Sequence, residues 1–90
     1  MRNNNSYHNL LLDPRWAAKK KVIIIRDKNK CRICGMTTDI MHVHHKQYHF
    51  IKRLQTHVSP WNYPNRLLIT LCSRCHLKGH SIYKVPIKYI

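Results

Sequence analysis

The sequence predicts a small α+β domain, on three observations. A helix start lies at Asp13-Pro14. Two short segments of strand character lie at residues 40–45 and 66–71. Two Cys-x-x-Cys pairs, Cys31/Cys34 and Cys72/Cys75, bracket the strand-rich middle. Ninety residues make one domain at most, here residues 1–90. A chain this short buries a modest fraction of its unfolded surface and commonly needs a disulfide, a metal or a partner subunit as a staple.

The elements follow in order. Residues 1–9 are Asn-rich and read as a flexible tail. Asp13 can cap a helix, and Pro14 suits the first helical position because no amide partner is needed there. The helix is expected from Pro14 to about Lys28, with Trp16, Ile23 and Ile24 on one apolar face and Lys19, Lys20 and Lys21 over much of the rest. Val22 to Ile25 is β-branched, so propensity alone also allows a strand; the cap and the length favour helix. Cys31-Arg32-Ile33-Cys34-Gly35 reads as a knuckle presenting two sulfurs. Residues 40–45 then alternate Ile40/His42/His44 against Met41/Val43/His45. Residues 46–63 read as a long, mostly irregular segment. A second strand is expected over Arg66 to Leu71 and a short helix from Ser73 to about Ser81. Residues 85–90 have the character of an edge strand or a segment docked on the core.

Zn²⁺ favours four tetrahedral ligands and binds thiolates strongly. Two pairs of this spacing, with 37 residues between Cys34 and Cys72, can grip one structural ion and close the segment between them. No secretory signal is evident at the N-terminus and no apolar run is long enough to span a membrane, so a reducing cytoplasm is expected, where such pairs favour metal over disulfides.

Seventeen Lys and Arg face three acids, Asp13, Asp27 and Asp39, giving a formal net charge of +14. Zinc with four thiolates would remove roughly two charges and leave the chain strongly basic. This implies a polyanionic partner, nucleic acid before membrane, since no long amphipathic basic helix is present. Arg15, Lys19, Lys20, Lys21, Arg26 and Lys28 are the expected contacts to backbone phosphates, which position a nucleic acid without reading its sequence. A carboxylate-rich two-metal centre is hard to build from this inventory. Imidazole is plentiful, and His can deprotonate water near neutral pH while a divalent ion acts as Lewis acid. His76 and His80, four apart, share a helix face. His44 and His45 point to opposite sides of a strand, so one can ligate while the other serves as base. His8, His42, His49 and His57 read as surface or hydrogen-bonded core residues, and Trp16 and Trp61 as core or loop anchors.

The runs Met41-His42-Val43-His44-His45-Lys46-Gln47-Tyr48, Pro60-Trp61-Asn62-Tyr63-Pro64 and Leu71-Cys72-Ser73-Arg74-Cys75-His76, with Leu12-Asp13-Pro14-Arg15-Trp16 upstream, resemble the HNH endonuclease family, specifically its small stand-alone members with paired Cys-x-x-Cys knuckles. The resemblance covers roughly residues 7–80. It implies a ββα-metal fold: a two-stranded hairpin with a long loop, then a helix, around a catalytic ion. It implies His44, His76 and His80 as ligands of that ion (Mg²⁺, Mn²⁺ or Ni²⁺; an imidazole-rich site also suits Zn²⁺ by ligand preference), His45 as general base, the four cysteines as structural zinc ligands, and duplex DNA as substrate in a bacterial or phage-infected cell. Leu67 stands where many members have the Asn that braces the base-bearing loop; Asn65 and Asn62 lie nearby, and Asn65 is the expected catalytic-site substitute. Two alternatives remain open: a non-catalytic zinc module binding nucleic acid, and a subunit switched on by a partner protein. Homodimerisation is equally open.

Overall fold

A computed structural model describes residues 7–38, 40–82 and 85–90, with the side chains of residues 7, 8 and 80–82 outside that description. Of the expected tail, residues 1–6 are not described, and Tyr7–Leu10 form one helical turn, α1.

The first long helix, α2, spans Pro14–Arg26. Asp13 is extended at φ −70°, ψ 138°, and its carboxylate accepts the Arg15 amide, so the cap read from the sequence is in place. Trp16 and Ile23 are buried, with Ile24 packed beside them. The helix stops two residues before the expected Lys28. Asp27 closes it, its amide reaching the Ile23 carbonyl, and Lys28 and Asn29 turn left-handed at φ 58° and 56°. Asn tolerates this region better than most residues; the adjacent lysine has no such help.

Strands β1 (Met41–His45) and β4 (Leu68–Cys72) pair antiparallel in a two-stranded sheet, in register Met41 with Cys72 through His45 with Leu68. The register explains the burial. Val43 and His45 face the core, whereas His42 and His44 face the other side, toward helix α3 (Ser73–Ile82), which follows β4 without a loop. The second strand starts at Leu68 rather than Arg66 because Asn65–Leu67 form a 3₁₀ turn, whose Asn65 carbonyl accepts from the Arg26 guanidinium.

Residues 46–63 are more ordered than expected. They contain β2 (Tyr48–Ile51) and β3 (Thr56–His57), and the C-terminal β5 (Ile87–Tyr89) joins them as a parallel edge, giving the order β3-β2-β5. The partner of Tyr48 is Ile87, far along the chain, so local pattern gives this pairing little signal.

The core is small: Trp16, Ile23, Val43, Val58, Tyr63 and Leu68, with a satellite around Cys31, Leu71 and Cys72. Between them lies Asp27, its side chain fully buried. Its carboxylate accepts from Arg26, from Arg32 in the first knuckle and from the Thr70 amide in β4. Burial alone would raise its pKa, but these donors outweigh burial and hold it well below the usual carboxylate range. No helix among the described residues is long and apolar enough to cross a membrane.

Candidate metal centre and histidine cleft

The two knuckles meet. The sulfurs of Cys31, Cys34, Cys72 and Cys75 all lie within 4.8 Å of one another. The first knuckle folds back at Gly35, whose φ of 77° suits a residue without Cβ, and its amide reaches the Cys31 carbonyl. The Cys31 and Arg32 amides bond the Met36 and Thr70 carbonyls, which fixes this turn against β4. The second knuckle is the junction of β4 and α3, where the Cys75 amide points at the Cys72 sulfur at 3.5 Å.

Backbone amides make this a pocket for thiolate. Burial would raise the Cys31 thiol, yet amides of Cys34, Cys72 and Ile33 bring it down to about 6. Cys72 is lowered chiefly by the Cys75 amide. Cys75 is pushed up to about 12 by its hydrogen bond with Cys72, by burial and by the other sulfurs. Four sulfurs this close cannot all ionise without a cation among them, and the donor set suits Zn²⁺. The cluster can therefore hold a structural metal such as zinc.

A cleft of about 360 Å³ opens along β1. Trp16 and Lys20 from α2, His42, His44 and His45 from β1, and His76 from α3 line it. The ring centroids of His42 and His76 are 4.7 Å apart and their planes nearly parallel, at 9°. Those of His44 and His76 are 5.5 Å apart with planes at 75°. His80 lies in α3 one turn beyond His76, but its side chain is outside the described residues.

His45 is held differently. It is 4 % exposed, packed between Trp16 and Tyr48 and against the Tyr63 ring edge. One ring nitrogen lies 3.0 Å from the Pro60 carbonyl. A carbonyl only accepts, so that nitrogen carries the proton of the neutral ring and the other is left basic. Burial lowers the His45 pKa against the opposing pull of the Pro60 carbonyl, which favours neutral imidazole at pH 7.

The remaining expected residues divide. Asn65 is exposed; its side-chain oxygen accepts from Lys19 and its carbonyl from Arg26, and it does not line the cleft. The amide of Asn62 bonds Ser59 within the loop. Tyr63, through its hydroxyl on the His49 amide, and Val58, through its amide on the His49 carbonyl, tie the returning loop to β2. Arg15 doubles back onto Asp13 and lies 4.3 Å over Trp61, and Arg26 holds Asp27 and the carbonyls of Asn65 and Leu68. Lys20 reaches the cleft; Lys21 and Lys28 are exposed. The sequence reading missed His42 as a cleft residue, and it singled out Lys20 as a phosphate contact without placing it in the cleft. The alternation of His42 with His44 was the available signal for the first; for the second it was the four-residue spacing from Trp16, which puts both on one helix face.

Compared with protein-family models, curated proteins and solved structures, the chain matches none.

Proposed function

We propose that this chain is an HNH-type endonuclease that hydrolyses phosphodiester bonds in DNA. The observation that supports it best is the pairing of a buried, carbonyl-oriented histidine, His45, with a histidine cluster, His44 and His76, on one cleft between β1 and α3. The groups have complementary tasks. His45 is oriented and neutral, the state a general base needs. His44 and His76 come from different elements with nearly perpendicular rings, and His80 is the third ligand the helix spacing offers. A divalent ion held there would act as Lewis acid on the phosphate and the leaving oxygen.

In the reaction, the free nitrogen of His45 takes a proton from water as its oxygen attacks phosphorus. The phosphorus–oxygen bond to the leaving sugar oxygen breaks, and that oxygen is protonated from solvent. Lys20, at the cleft wall, is placed to meet a phosphate, and the net charge of +14 draws the polyanion in. The reading predicts that supercoiled plasmid is nicked or linearised with Mg²⁺, Mn²⁺ or Ni²⁺ and not with EDTA, and that His45→Ala binds DNA but does not cut. Equal cutting by His45→Ala would end the assignment of the base.

One observation favours a second reading, a zinc module that binds nucleic acid without cutting or cuts only with a partner: Asn65 is engaged with Lys19 rather than with the loop that carries Pro60. Plasmid shifted by binding but intact under every metal would support that reading.

A further inference from the structure

His42 is one of eight histidines, and its residue type alone does not set it apart. Its surroundings do. β1 alternation puts it on the face of His44, and both rings meet His76 of α3, but in different ways. An imidazole nitrogen offers its lone pair in the plane of the ring. The His44 and His76 rings stand at 75° with centroids 5.5 Å apart, an angle at which in-plane lone pairs from both can converge on one ion. The His42 and His76 planes are 9° apart and stacked, so they meet only far beyond any coordination distance. His42 and His76 cannot share an ion in this geometry. His42 is engaged elsewhere as well: its Nε2 lies 3.0 Å from the hydroxyl of Ser73, the first residue of α3.

We propose that His42 is a positioning residue for a metal ion in the cleft. Its ring lies flat on His76 and limits the rotation of that ligand. The role rests on the metal-site reading above. It differs from ligation in what it demands of the side chain: a flat ring is needed, and a nitrogen aimed at the ion is not.

Groups that orient a metal ligand typically contribute ~10–100-fold in metal affinity. The test is a Mn²⁺ titration of protein whose cysteines are loaded with zinc, following free Mn²⁺ by electron paramagnetic resonance, on wild type, His42→Ala and His42→Phe. The expected result is affinity about tenfold weaker or worse in His42→Ala, with His42→Phe close to wild type because the stack survives. Zinc content and melting temperature are read for each protein; should His42→Ala melt early, the comparison of His42→Phe with wild type decides. Equal affinity in wild type and a well-folded His42→Ala overturns the positioning role alone. His42→Phe as weak as His42→Ala overturns it in favour of a role for the ring nitrogens, in ligation or in the bond to Ser73. A wild type that takes up no Mn²⁺ overturns the metal reading of the cleft together with this one.

Discussion

In Asp27→Ala, donors from three segments lose one acceptor at once: Arg26 at the end of α2, Arg32 in the first knuckle and the Thr70 amide in β4. The losses are unequal. Thr70 is fully buried, and a buried amide left without a partner costs ~1–3 kcal/mol. The two arginine side chains are 34 % and 53 % exposed, so water takes over much of their solvation, and each pair is worth only ~0.2–1 kcal/mol. Together the variant should lose about 2–4 kcal/mol, which at ~4–8 °C per kcal/mol for a domain of this size lowers Tm by roughly 8–32 °C. The assay is thermal melting of zinc-loaded protein by circular dichroism at pH 7. The pH dependence is a second check. The native carboxyl titrates below its unfolded value near 3.8, so its contribution is fully present above that value and is lost as pH falls through it toward the native one. The gap between wild type and variant should hold down to about pH 5 and then shrink. A Tm shift under about 5 °C at pH 7, or a gap that widens in acid, would refute the account of Asp27 as the junction of the fold.

Stripping metal with a strong chelator, or Cys72→Ser, should remove the staple of a small core; structural zinc sites of this kind are worth ~10–16 kcal/mol in peptides, so loss of far-UV ellipticity with release of one zinc per chain is expected. Lys21→Ala should lower the slope of log binding constant against log salt by about one unit or less and leave melting unchanged. Arg26→Ala should instead lower the melting temperature, because its guanidinium holds Asp27 and two carbonyls, and a changed salt slope at constant Tm would show that its charge faces the nucleic acid after all.

What was legible in the sequence was local. Asp13-Pro14 announces α2 because cap and first-turn proline act within two residues, and the alternation through His45 announces β1 because strand period is two. The four cysteines announce a cluster able to hold a metal because ligand chemistry is restrictive. The rest depends on contacts between distant segments. Tyr48–Ile51 is rich in aromatic and β-branched residues, yet its strand exists through pairing with β3 and the distant β5. Asp27 looks like one more surface acid until Arg32 and Thr70 arrive. Lys28 was read as helical because nothing in its side chain announces a left-handed turn. Arg26 and Arg15 were read as phosphate contacts on charge alone, and charge does not say that each is already engaged with an aspartate.

The position of the knuckles bears on how quickly the chain can fold. The sheet joins Met41 to Cys72, 31 positions apart, with the long excursion through β2 and β3 between them. An ion that joins Cys34 to Cys72 leaves only seven steps of chain from Cys34 to Met41. Closing the sheet then costs roughly 1 kcal/mol less loop entropy than in the metal-free chain. A pairing that is long-range in the bare polypeptide becomes nearly local once the metal is bound, and topology of that kind governs refolding rates. Zinc added before refolding should therefore speed the search itself, whereas zinc added afterwards could only stabilise what had already formed.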